Sequence, residues 1–163
     1  MAYISDLKKI LGQSYDFNTH DNLFGTNLSD TINAYGGNDR VYAYGGNDVI
    51  FGNAGIDNLS GGAGDDRISG GTELDTHDGG DGIDTVVYAG NAGSYTIDFN
   101  AKTITHSGSD GVDSFTNIEF IQFADSVINV ANKAPTAPGA FTNQSTFDNA
   151  VFSYTVPTTV FDD

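Results

Sequence analysis

Apolar residues recur at an interval of nine along the first half of the chain, at Leu23, Ile32, Val41, Ile50, Leu59, Ile68 and Val86, with His77 breaking the series once. Each slot lies two residues after an Asp, in the run Asp21, Asp30, Asp39, Asp48, Asp57, Asp66, Asp75 and Asp84. Glycine stands two before the Asp at Gly37, Gly46, Gly55, Gly64 and Gly82. Residues 61–69, Gly-Gly-Ala-Gly-Asp-Asp-Arg-Ile-Ser, show the unit most fully. The period is neither that of a helix nor that of one continuous strand. It predicts a short three-residue strand per unit, with the middle side chain inward and its neighbours outward, joined by a six-residue loop. Two units then complete one turn, and loops 18 residues apart stack on the same side. The fold class expected is all-β, a parallel β-roll (β-solenoid), over residues 16–87.

The flanks read differently. Residues 4–11, Ile-Ser-Asp-Leu-Lys-Lys-Ile-Leu, have helical apolar spacing, with Ser5 as N-cap and Gly12 as stop, so residues 1–15 are expected to form a helical N-terminal cap. Residues 16–33 hold two degenerate repeats with Thr19 and Leu28 where glycine belongs, predicting the shape without full ion coordination. Residues 70–78 depart most, with Glu73 for the glycine and His77 for the aliphatic; His77 is read as a lone buried histidine rather than a ligand. From Tyr88 the period is lost. Ser94–Phe99 and Thr103–His106 alternate around Asn100-Ala101, which predicts a hairpin, and the apolar stretch 117–130 predicts two strands. Residues 88–130 are expected to cap the roll, since an uncapped solenoid exposes its core. Residues 131–140 read as a linker, and residues 141–163 as a tail or the first strand of a further domain; that tail resembles the opening strand of a cadherin-like domain or a C-terminal secretion segment.

Charge narrows the partners. The chain carries 22 acidic against 6 basic residues, a net charge of −16, which argues against nucleic acid and anionic membrane surfaces. No apolar run reaches membrane-spanning length, and residues 1–12 lack the apolar core of a signal peptide. The absence of cysteine excludes disulfides. A disordered Gly/Asp linker would share this composition but would not need an aliphatic residue at every ninth position.

The periodic carboxylates point to Ca²⁺. The glycines permit positive φ and close backbone approach. Each Asp offers a hard anionic oxygen, and backbone carbonyls left without ladder partners would supply the remaining oxygens that this ion prefers. The ion also relieves the stacking of carboxylate on carboxylate. No phosphate loop, paired-histidine zinc helix or nucleophile elbow is present, and no helices flank the Asp runs as an EF-hand requires, so the chain reads as no enzyme in itself. Phe24, Tyr42 and Phe51 occupy outward strand positions, where a cross-strand aromatic ladder is the simplest reading and sugar stacking the alternative.

Residues 25–87 resemble RTX (repeats-in-toxin) calcium-binding nonapeptides, and residues 86–130, with Val-Val-Tyr-Ala-Gly and Asp113 through Asp125, resemble the segment that often follows them. The resemblance implies a bacterial protein exported by type I secretion that folds on meeting external calcium, monomeric and extracellular or at the cell surface. It implies several ions, roughly four to six, each between loops 18 residues apart. The ligand sets it implies are Tyr44, Gly46 and Asp48 with Gly61, Ala63 and Asp66; Tyr35, Gly37 and Asp39 with Gly52, Ala54 and Asp57; and Gly62, Gly64 and Asp66 with Gly79, Asp81 and Asp84. A fourth, Asn53, Gly55 and Asp57 with Gly70, Thr72 and Asp75, draws on the aberrant repeat, and Asp30 belongs to the same column as Asp48. The function implied is a non-catalytic calcium-binding module of an adhesin or surface protein; the alternative is the accessory domain of a secreted hydrolase or toxin.

Overall fold

The computed structural model describes residues 2–3, 20–106, 108 and 111–130. The expected helix over 4–11 and the linker and tail over 131–163 lie outside these residues. Residues Ala2–Tyr3 form a strand, β1, that pairs in parallel with Asp30 and Thr31 and so extends a sheet of the roll.

The roll is a parallel β-solenoid of about four turns. Its strands are β2 (Asn22–Phe24), β3 (Asp30–Asn33), β4 (Arg40–Tyr42), β5 (Val49–Ala54), β6 (Asn58–Ala63), β7 (Arg67–Thr72), β8 (Thr76–Asp81) and β9 (Thr85–Val87). They are followed by β10 (Tyr95–Asp98), β11 (Thr103–His106), β12 (Val112–Thr116), β13 (Phe120–Gln122) and β14 (Val127–Asn129). Among the described residues one sheet runs β1-β3-β5-β7-β9-β13-β14 and the other β10-β11-β12-β8-β6-β4-β2. Alternate repeats thus feed opposite faces. The register steps by 18, as in Ile32↔Ile50 and Val41↔Leu59.

The middle residue of each unit points inward because neighbouring side chains on a strand alternate in direction. Ile50, Leu59 and Ile68 are fully buried, and Leu23, Ile32, Ala34, Val41 and Ala43 join them in one apolar cluster. The outward positions carry the aromatics, and the Phe24 and Tyr42 rings stack with centroids 5.7 Å apart.

Strands β5 to β8 are six residues long rather than the expected three. Each continues through the first three residues of the next unit. A positive φ at the second of them, as at Gly62 (109°), turns the corner while the parallel ladder persists from Ala63 to Asp81.

Beyond Tyr88 the chain makes the expected hairpin, with Tyr95 opposite His106. It then re-enters the roll. β12 pairs in parallel with β8 and β13 with β9, so residues 112–122 form one more coil out of period with the rest. β14 closes that coil antiparallel to β13. Val86, Tyr88, Ile104, Phe115, Ile118, Ile121 and Phe123 build a second apolar cluster there.

Candidate metal centres

Two columns of Asp run along the roll, one on each side. Every Asp main-chain N–H donates to the carboxylate one turn ahead. The distances are 2.7 Å for Asp21 to Asp39, 2.8 Å for Asp39 to Asp57 and 2.9 Å for Asp57 to Asp75. On the other side they are 2.6 Å for Asp30 to Asp48, 2.7 Å for Asp48 to Asp66 and 2.9 Å for Asp66 to Asp84. In each carboxylate this occupies Oδ1. A second ladder runs beside it, with Asn38, Asn47 and Asp65 side chains accepting from Ile56, Asp65 and Ile83 N–H.

The other carboxylate oxygen is left over. Oδ2 of Asp48, Asp57, Asp66, Asp75 and Asp84 is buried without a hydrogen-bond partner, as is Oδ1 of Asp30, whose Oδ2 accepts from Thr26. A buried anionic oxygen with no partner is costly. Burial pushes the carboxyls of Asp48, Asp57, Asp66 and Asp84 up to about 6, although the N–H bond from the Asp behind each lowers it. Asp75 is pushed up to about 7, again chiefly by burial, with Asp113, Asp57 and Glu73 adding repulsion.

Each implied ligand set falls in loops that the fold stacks. Ala63 N–H donates to Tyr44 O at 2.8 Å and Gly46 N–H to Ala63 O at 2.8 Å. Ala54 N–H donates to Tyr35 O at 3.1 Å and Gly37 N–H to Ala54 O at 2.9 Å. Gly64 N–H donates to Asp81 O at 2.8 Å. Asn53 and Ala54 lie opposite Gly71 and Thr72, so the loop of the aberrant repeat stacks like the others. The expectation that these carbonyls lack ladder partners is corrected here: those of Tyr35, Tyr44, Ala54, Ala63 and Asp81 accept ladder bonds, because the strands extend around the corner. Each carbonyl oxygen keeps a second lone pair.

In the units that open with Gly52, Gly61, Gly70 and Gly79, that first glycine holds the space beside the spare oxygen, whereas Ala34 and Ala43 open the two units before them. A Cβ at Gly52 would collide with Asp57 Oδ2 and a Cβ at Gly61 with Asp66 Oδ2, while Gly70 O and Gly79 O of the next loops face the same two points. Unpartnered buried carboxylate oxygens, converging carbonyls and a cradle that a side chain would fill are a donor set that fits Ca²⁺.

Two members of the Asp columns escaped the periodic reading. Asp113 accepts the Asp75 N–H at 2.9 Å, and Glu119 accepts the Asp84 N–H at 2.8 Å. They occupy the next step of each column, displaced in sequence by the hairpin. Both keep the local signature, Asp113-x-Phe115 and Glu119-x-Ile121, with the apolar residue inward and buried. A search for that spacing without the nine-residue register would have found them.

His77 is placed where the column of inward aliphatics predicts, between Leu59 and Phe115, and is fully buried. Burial lowers it to about 4, against the opposing effect of the Ser114 carbonyl, so its imidazole is neutral. It is not alone: Asp75, His77 and Asp113 each bring a ligand-type atom within 4.8 Å of the others.

No curated protein matches the chain. The family model of the RTX calcium-binding nonapeptide repeat matches residues 24–59 and 51–86. Those spans coincide with the stacked coils that carry the Asp columns. Residues 24–86 of the chain are RTX calcium-binding nonapeptide repeats.

Proposed function

We propose that this chain is a non-catalytic calcium-binding module of a type I-secreted bacterial protein, of the adhesin or surface-protein kind, whose folding is coupled to external calcium. The observation that carries this reading is the series of buried, unpartnered carboxylate oxygens at Asp48, Asp57, Asp66, Asp75 and Asp84. Such a column is self-repelling, and a divalent cation at each step converts the repulsion into a bridge. The three stacked ligand sets that do not draw on the aberrant repeat would hold the calcium ions, with the Asp supplying charge and the carbonyls completing the oxygen shell. Binding free energy then becomes folding free energy. The family's members are typical of secreted bacterial proteins, and the net charge of −16 suits a chain that stays extended until calcium neutralises it.

Circular dichroism during a calcium titration tests the coupling. The spectrum should pass from disordered to β between micromolar and millimolar calcium and revert on chelation. A β spectrum indifferent to excess chelator overturns it.

A further inference from the structure

The last step of one Asp column differs in its donors from the steps before it. Between Asp75 and Asp113 the inward residue is His77, whose side chain is entirely buried. Its Nδ1 lies 3.2 Å from Ser114 O. A carbonyl can only accept, so Nδ1 carries the proton and Nε2 presents its lone pair. That Nε2 is buried and has no hydrogen-bond partner. It faces the spare Oδ2 of Asp75: a Cβ placed on Gly70 would collide with both atoms, so glycine leaves open the space they share. Asp113 completes the group, its Oδ2 oriented by the Tyr88 hydroxyl, which donates at 2.8 Å.

We propose that Asp75, His77 and Asp113 form a site for a divalent transition metal of the Zn²⁺ class, distinct in chemistry from the calcium steps. A neutral imidazole nitrogen suits zinc, copper, iron and nickel, whereas calcium takes oxygen. Two carboxylates and one divalent cation sum to zero charge, which suits a dry interior. The ligands are held as metal ligands usually are: the far imidazole nitrogen is tied to a main-chain carbonyl and a carboxylate to a hydroxyl. The atoms lie within 4.8 Å of one another, so small side-chain rotations bring all three onto one ion. The competing arrangement is a proton on Asp75 shared with Nε2, which needs no metal.

The test uses the full chain in saturating calcium, so that folding of the roll is read separately by circular dichroism. Co²⁺ is titrated in and its visible absorption recorded, and Zn²⁺ is then used to displace it. Wild type should bind Co²⁺ stoichiometrically with the intensified spectrum of a nitrogen- and oxygen-ligated ion, and Zn²⁺ should abolish the signal. His77→Leu restores the repeat's usual aliphatic, as Leu59 does one coil away; it should keep calcium-induced folding and lose the Co²⁺ signal. Should that variant not fold, Asp113→Asn, with ¹⁵N NMR of His77 Nε2 in wild type on adding Zn²⁺, gives the same decision. Absence of Co²⁺ binding in wild type, equal binding by His77→Leu through His20 or His106, or an unmoved His77 Nε2 resonance would overturn the proposal.

Discussion

Asp66 illustrates what each repeat carboxylate does. Its Oδ1 accepts from Asp48, its own N–H donates to Asp84, and its Oδ2 is the candidate ligand. Replacement by Ala removes a charged hydrogen bond worth about 1.5–3 kcal/mol together with an anionic donor shared by two ligand sets. In a calcium titration the folding midpoint of Asp66→Ala should rise by about tenfold or more. Asp21→Ala, at the start of the column in a degenerate repeat, should shift it little. Equal shifts would refute the reading of residues 16–33 as repeats that keep the shape without full ion coordination. Acid should act on the same groups with opposite sign in the two states. Burial raises Asp48, Asp57, Asp66 and Asp84 to about 6 and Asp75 to about 7, so without calcium the folded form binds more protons than the unfolded chain between its ordinary carboxyl value and that range. Stability of the calcium-free fold therefore falls as pH rises through that window. Calcium binds the ionised form, so its midpoint should worsen as pH drops, by about tenfold or more between pH 7.5 and pH 5. Ellipticity measured across pH with and without calcium checks both signs.

At the level of elements, the re-entrant coil does more than cover an end. β12 and β13 add parallel ladders to β8 and β9, and Asp113 and Glu119 receive the last two Asp N–H groups. Ile118, Ile121 and Phe123 are buried in its cluster, whereas Val127 stays exposed. Burying side chains of this size contributes about 1.5–3 kcal/mol each. A chain ending at Val87 loses all of this and should stay disordered at millimolar calcium, while one ending near Asn132 should fold nearly as well as the full chain. An unchanged calcium midpoint for the Val87 truncation would show residues 88–130 to be a separate module.

For the whole molecule, neighbour-to-neighbour stacking makes folding a one-dimensional process in which each coil templates the next. The calcium-free chain should be expanded by its net charge of −16 and contract when the ion is added. Size-exclusion or small-angle scattering should show a fall in radius with calcium and little with magnesium, which demands a smaller octahedral shell and keeps its waters. Contraction of equal size with both ions would point to charge neutralisation alone.

Much of this was legible in the chain because a solenoid of short repeats writes its contacts locally. The nine-residue register named the inward aliphatics, the Asp columns and the stacking step of 18, since each coil meets only its neighbours. The hairpin over 95–106 was equally local. What the tertiary structure alone decided were the contacts that bypass the register. Asp113 stands 38 residues from the Asp75 N–H it accepts, and Glu119 stands 35 from that of Asp84. No periodic count spans the intervening hairpin, yet the parallel ladder brings both carboxylates into the next step of their columns. His77 was visible as a break in the pattern, but its partner Asp113 arrives only when that outlying coil folds back, and that turns a lone buried histidine into one member of a donor group.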